Sequence, residues 1–298
     1  MSGSLRVKMK GPERTNIERR MTMKMTKTYL LVAIALLFTS TSFAELSIKS
    51  DVVYGHKDGM ALVYSVLQPE NANGAAIVFM VSGGWVSRWS PAQRYASRFD
   101  DMLDAGFTVI PVHHGSAPRY RVPEAYADVS RAIRHIKLHA GQHGIDPDRI
   151  GVTGGSAGGH LSLMLGMDSD AGINGDRDEV MRNSNDVAAI VAYFPPVDLR
   201  EITGPNDRFP ALDFEPAKAA AISPILHADP TDPPTLLIHG DADELVDISN
   251  SVDMQAEFEK QHITSEFVTI PGAGHGFRGE DATQAAALRL DWFKRYLL

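Results

Sequence analysis

Residues Gly154 to Gly158 read GGSAG, between a strand-like run from Arg149 to Thr153 and an apolar, helix-like stretch holding Leu161, Leu163, Met164 and Leu165. Glycines two positions before and two after Ser156 let the chain take a turn so sharp that any side chain there would strike neighbouring backbone. Such a strand-to-helix turn leaves the serine hydroxyl exposed at a helix N-terminus. A histidine can take its proton there, while the helix dipole and the Ala157 amide face any negative charge that develops on a bound molecule. The turn leading in, Ile145-Asp146-Pro147-Asp148, and the short apolar run behind it fit a buried strand of an α/β protein.

A serine in this setting needs an acid and a base later in the chain, in the order Ser, Asp, His. The run Thr235 to His239 (TLLIH) has the character of a buried parallel strand and ends in Gly240, Asp241, Ala242 and Asp243. A carboxylate just past a strand end lies at the rim where α/β sheets hold ligands, which makes Asp243 the candidate acid and Asp241 the alternative; either residue would also serve a plain turn. A further strand, Glu266 to Ile270, runs into Pro271-Gly272-Ala273-Gly274-His275-Gly276-Phe277. Glycines on both sides make His275 a loop residue able to reach the serine, and it is the candidate base. His239 and His262 read as packing or surface residues, and His160 as a helix residue facing its neighbours.

Backbone amides to receive an oxyanion are expected after an early strand. Ala76 to Val81 is that strand, and Ser82, Gly83, Gly84 and Trp85 follow. Gly83 and Gly84, with Ala157, are the candidate donors, because glycine lets two N–H groups converge on one oxygen. The same residues would also make an ordinary β-turn.

With these pieces placed, the chain resembles the α/β-hydrolases of the carboxylesterase and hormone-sensitive-lipase-like branch, and within it the secreted bifunctional feruloyl and acetyl-xylan esterases. The likeness is carried by GGSAGGH (Gly154 to His160), HGDADELV (His239 to Val246) and GAGHGF (Gly272 to Phe277), and extends over Ser47 to Leu298. It implies a triad of Ser156, Asp243 and His275, oxyanion donors at Gly83, Gly84 and Ala157, and short acyl esters as substrates, with acylated polysaccharide as the larger substrate it points to. One departure stands out. The usual HGGGW is here Val81-Ser82-Gly83-Gly84-Trp85, so the residue that braces the oxyanion loop must lie elsewhere, with His113, His114 and Arg119 as candidates.

Composition narrows the alternatives. Lys24 and Lys27 precede the apolar run Tyr29 to Phe38, and Ser42-Phe43-Ala44 forms a small-x-small site, so residues 1–44 read as a leader and signal peptide cleaved after Ala44. The run is short for a membrane span, no stable membrane insertion is expected after cleavage, and the mature location would be secreted or periplasmic. Residues 45–298 are expected to form a single catalytic domain. Of 29 Lys and Arg and 37 Asp and Glu, the leader takes 8 and 2, leaving 21 and 35, or about −14 for the rest. That balance argues against nucleic acid as a partner and favours an uncharged small-molecule ester. With 0 cysteines, disulfides, zinc–thiolate sites and a cysteine nucleophile are excluded.

The remaining pattern predicts a mostly parallel, doubly wound sheet of eight strands, near 51–54, 62–67, 76–81, 107–113, 149–153, 187–193, 235–239 and 266–270, with helices alternating with the later six. The clearest helix runs from Pro123 to His139, with Ala125, Val129, Ala132, Ile133 and Ile136 as its apolar stripe. Two short insertions would cap the site. The first, Ser169 to Asp186, is acidic but lacks calcium-loop spacing, and no metal or other cofactor is implied. The second, Leu199 to Ser223, would roof the pocket with Phe209 and Phe214. Trp85 is the candidate substrate-binding residue, with Trp89, Phe194 and Phe277 as further wall candidates. The implied chemistry is two-step acyl transfer: Ser156 attacks the ester carbonyl as His275 takes its proton, and water activated by His275 then releases the acid. Two rivals remain open, a prolyl-oligopeptidase-like peptidase and a non-catalytic binding protein on a hydrolase scaffold.

Overall fold

A computed structural model describes Gly3 and residues 46–298; the expected leader, its cleavage site and the boundary at Glu45 lie outside the described residues. Eight strands form one sheet: β1 (Ser47–Lys57), β2 (Met60–Gln68), β3 (Ala76–Met80), β4 (Thr108–Val112), β5 (Ile150–Gly155), β6 (Ala189–Tyr193), β7 (Thr235–Gly240) and β8 (Ser265–Ile270). Their spatial order is β1-β2-β4-β3-β5-β6-β7-β8. The contacts of β2 with β1 and β4 are antiparallel and all later pairings are parallel.

The central strands are apolar throughout because both faces are covered. On β3, Ala76, Val78 and Met80 join one core cluster, while Ile77 and Phe79 join the other. Helices α1 (Gln93–Arg98), α2 (Asp100–Asp104) and the C-terminal helix pack on the second face through Tyr95, Phe99, Met102, Trp292 and Phe293. Helix α3 (Val122–Leu138) lies on the first face, burying Ala125, Val129, Ala132, Ile133 and Ile136. Pro123 stands in its first turn, and the Glu124 side chain caps its start by accepting from the Arg121 amide at 2.9 Å. Helix α4 (Ala157–Met167) follows β5 directly and is buried along its whole length, so it shows no polar face. Helix α5 (Ser249–Lys260) adds Met254 and Phe258 to the first cluster, and α6 (Glu280–Leu297) closes the second. Each fully buried Leu, Ile or Phe contributes roughly 1.5–3 kcal/mol.

One expected helix is absent. Between β6 and β7 the chain makes only short 3-10 turns, at Pro210–Leu212, Pro216–Lys218, Ala220–Ile222 and Pro224–Leu226. Pro210, Pro216 and Pro224 recur too closely for one long α-helix to run through, since a proline in a helix interior removes an N–H and strikes the preceding turn. This crossover therefore stays irregular, and it lies over the strand ends. In the other insertion, Asp170, Asp178 and Asp186 pair with Arg134, Arg131 and Lys137 of α3, which ties the acidic loop down onto that helix.

Candidate active site

Ser156 follows β5 with φ 55° and ψ −122°, a conformation that costs a non-glycine residue on the order of 1–3 kcal/mol. The sheet and helix on either side hold it there. Its amide donates to the Tyr193 carbonyl at 2.9 Å, and its carbonyl accepts from the His160 amide at 2.9 Å. Glycine is obligatory two residues upstream: a Cβ on Gly154 would stand 2.4 Å from the carbonyl carbon of Gly158. The strand end and the first helical turn thus touch, backbone to backbone.

Asp243 and His275 are brought together by the ends of β7 and β8. The His275 Nδ1–H donates to Asp243 Oδ2 at 2.7 Å. A Cβ on Gly240 would fall 2.1 Å from the Ala273 carbonyl oxygen, and the Ala242 amide donates to that same oxygen at 3.0 Å. The acid turn and the histidine loop are therefore pinned to each other by main chain. The other oxygen of Asp243 accepts from the amides of Leu245 and Val246 at 2.9 and 3.0 Å. Burial alone would raise this carboxyl, but the Val246 amide, the His275 ring and the Leu245 amide outweigh it and hold it below the usual carboxylate range. Asp241 instead accepts from the Gly272 amide at 2.6 Å and shapes the turn.

His239, read from sequence as a packing or surface residue, and His160, read as a helix residue facing its neighbours, have more specific places. The His239 Nε2–H donates to the Val246 carbonyl at 2.9 Å and stands 3.3 Å from Asp243 Oδ2, so it backs the acid. Burial holds it neutral by lowering its pKa, against the opposing pull of the Val246 carbonyl and Asp243. His160 is fully buried: Trp85 Nε1–H donates to its Nδ1 at 3.3 Å, and its Nε2–H donates to the Ile222 carbonyl at 2.8 Å. The loop after β3, the serine helix and the irregular crossover meet at this one ring. The sequence carries no local signal for the two His160 contacts, since Trp85 and Ile222 are both distant in the chain.

The loop after β3 departs from expectation at Gly83. Its amide donates to the Val86 carbonyl at 3.1 Å while the Val86 amide returns to Gly83 at 3.0 Å, closing a tight turn. Gly83 is thus a turn former here, its N–H already used. Among the described residues the Gly84 amide has no such acceptor, and the Ala157 amide stands at the start of α4, where helix N–H groups lack internal partners. Of the three brace candidates, His114 reaches the loop: Ser82 Oγ–H donates to its Nε2 at 2.9 Å, while its Nδ1–H donates to the Gly115 carbonyl at 2.8 Å. His113 contacts Ser87 instead, and Arg119 pairs with Asp58.

Ser156, Gly84, Phe194, Phe209 and His275 line one cavity of about 750 Å³. A second, of about 270 Å³, meets it at Ser156 and Gly84 and is walled by Trp85, Pro196, Ile202, Phe209 and Leu212. The Phe194 ring lies 4.6 Å from that of His275, tilted by 56° to it, on a residue with φ 37°. Phe209, in the crossover, lies between the two spaces, and Trp85 borders the smaller one although it is only 4% exposed. Trp89 and Phe277 do not border either. Trp89 lines another hollow and its N–H donates to Asp51, and Phe277 packs edge-on against Phe194.

The BD-FAE family model matches residues 65–258, about two thirds of the chain. This chain belongs to the BD-FAE family. The match takes in the serine turn and Asp243 and ends before His275. Among curated relatives, the chain is 27% identical to "Esterase LipQ" of Mycobacterium tuberculosis over 76% of this chain and 57% of that one. It is also 27% identical to the "Probable carboxylic ester hydrolase LipM" of the same organism, over 68% and 49%. The chain thus spans about half the length of the curated relatives it matches. Among solved structures, a truncated carbohydrate esterase from gut microbiota superposes with TM-score 0.71 at 28% identity, covering 86% of this chain and 98% of that one. Thermogutta terrifontis esterase Est2 gives 0.68 at 27%, covering 85% and 92%. The fold of this BD-FAE chain is that of the α/β-hydrolase esterases, as its sheet order and parallel strands require.

Proposed function

We propose that this protein is a serine-dependent carboxylic ester hydrolase acting on short acyl esters, with Ser156 as nucleophile, His275 as general base and acid, and Asp243 as the residue that orients the imidazole. The observation that carries this reading is Ser156, at positive φ, sharing a cavity with His275, whose far nitrogen is bonded to Asp243 at 2.7 Å. Esterase names among the relatives support the same class.

The amides of Gly84 and Ala157 are the proposed oxyanion donors. Such donors act where charge develops and are each worth roughly 2.7–4 kcal/mol of barrier. Ser156 attacks the carbonyl carbon while His275 accepts its proton. The imidazolium then gives that proton to the departing alcohol oxygen, leaving an acyl-serine. Water attacks next, with His275 again as base, and the acid leaves. The leaving oxygen must lie beside His275 to be protonated. His275 borders only the larger cavity, so the alcohol occupies that space and the acyl group the smaller apolar one. The wall of Trp85, Phe209 and Leu212 favours short acyl chains.

We further infer that residues 1–44 are an export leader and that residues 45–298 form the single mature catalytic domain, a reading resting on the Tyr29 to Phe38 run and Ser42-Phe43-Ala44. Purification from the periplasm or medium with Glu45 as the first residue is the expected result. The activity is tested with a 4-nitrophenyl ester series from acetate to laurate, beside Ser156→Ala. Turnover that peaks at the short end and vanishes in the variant is expected; equal rates in both proteins would refute the assignment.

A further inference from the structure

The larger cavity carries a feature that ester hydrolysis alone does not require. Arg88, Arg94 and Arg98 line it beside Ser156 and His275, and no Asp or Glu does. In a chain with formal net charge −8, this concentration of cations is local and one-sided. Arg94 and Arg98 stand four residues apart on α1 and so share a helix face, where like charges repel rather than stabilise.

None of the three guanidinium groups is neutralised by a carboxylate among the described residues. Among the described residues Arg119, Arg131, Arg134 and Arg289 pair with carboxylates, whereas Arg88, Arg94 and Arg98, like Arg177, Arg182, Arg208 and Arg278, do not; what sets these three apart is that they face one cavity. Nor does any of the three donate a hydrogen bond to another described residue, although each offers five N–H groups in a planar fork. Arg98 is nevertheless held in place, its guanidinium lying 4.6 Å from the ring centre of Phe79 and 5.7 Å from that of Phe99. All three arginines stay exposed to solvent at the cleft, and the Arg98 pKa is lowered by partial desolvation against these rings and then by the nearby Arg289. Cation–π contacts of this kind fix the plane of the fork while leaving its N–H edge unused.

We propose that the alcohol side of the cleft binds an oxyanion, so that the preferred substrates are short acyl esters of acidic saccharides bearing a carboxylate or sulfate. This rests on the esterase reading and deepens it, because the arginines line the compartment that also holds the proposed proton donor to the leaving alcohol. Whole-chain charge favours an uncharged substrate. The cleft reverses that preference locally, since a concave site lined by one sign of charge concentrates the opposite sign irrespective of the net total.

The test compares three monoacetylated sugars with the acetyl group at one position: methyl glucuronoside, methyl glucoside 6-sulfate and methyl glucoside. The ratio of kcat/KM, charged over neutral, is expected to be about tenfold at low ionic strength and to fall several-fold as salt rises to about 0.5 M. Arg94→Gln and Arg98→Gln should each lower the ratio roughly threefold. Carboxylate and sulfate arms show which anion is preferred. A ratio at or below one, or one that neither salt nor the substitutions move, overturns the proposal. Calorimetric binding of unacetylated methyl glucuronoside and methyl glucoside to Ser156→Ala separates the two claims. Selective binding of the glucuronoside without ester turnover in the parent protein would sink the esterase reading and sustain the anion site, whereas equal or no binding of the two sugars would sink the site.

Discussion

His160 links acid stability to the architecture of the site. Its Nδ1 accepts from Trp85 and its Nε2–H is given to the Ile222 carbonyl, so the ring is neutral, and a second proton would set N–H against N–H. Burial, partly opposed by the Ile222 carbonyl, lowers its pKa from 6.5 to about 4. The unfolded chain therefore takes up the proton first as pH falls. The resulting penalty is absent well above pH 6.5, grows as pH drops through the interval, and is complete below about 4. At about 1.36 kcal/mol per pH unit, it amounts to roughly 2–3 kcal/mol at pH ~4.5 and roughly 3–4 kcal/mol at its limit. His160→Gln keeps one donor and one acceptor but cannot titrate. Urea unfolding followed by tryptophan fluorescence, at pH ~7.5 and ~4.5, should show the parent losing roughly 2–3 kcal/mol more stability than the variant. Equal losses in the two proteins would mean that His160 is not the titrating group and that the bridge through it is misread.

Three further outcomes follow from contacts already described. Gly154→Ala places a Cβ 2.4 Å from backbone of Gly158, and a resulting shift of the serine turn should cut kcat roughly 100-fold, with a lower Tm by calorimetry. Asp243→Asn should lower kcat by about 10⁴ while circular dichroism stays unchanged, because the asparagine can present its N–H to His275 and favour the wrong tautomer. Phe209→Ala should merge the two cavities and move the acyl-length optimum in a 4-nitrophenyl ester series toward longer chains; an unmoved optimum would show that Phe209 does not bound the acyl space.

The strands were legible because each is a short apolar run bounded by turn residues, and all eight lie where that pattern places them, within a few residues at the ends. Local spacing also placed the serine turn and the two loops that meet it, since strand ends of a parallel sheet gather on one edge. What the sequence did not disclose depends on contacts between distant residues. Nothing near His114 in the chain announces Ser82 as its partner, and nothing near Arg94 announces the serine. The engaged amide of Gly83 is undecided in the sequence for a different reason. Two adjacent glycines suit a donor pair and a tight turn equally, and only the position of the Val86 carbonyl separates them.

The close approach of Gly240 to Ala273 divides the site into two mechanical halves. Ser156 belongs to β5, in the middle of the sheet, whereas Asp243 and His275 belong to β7 and β8, the last two strands on one side. An outer strand has a neighbour on one side only and opens at lower free energy than the interior. On warming, β8 should therefore loosen first and carry the histidine away as a unit with its loop, while the serine turn stays folded. Loss of turnover is then expected at a lower temperature than loss of the tryptophan signal, and the early loss should reverse on cooling.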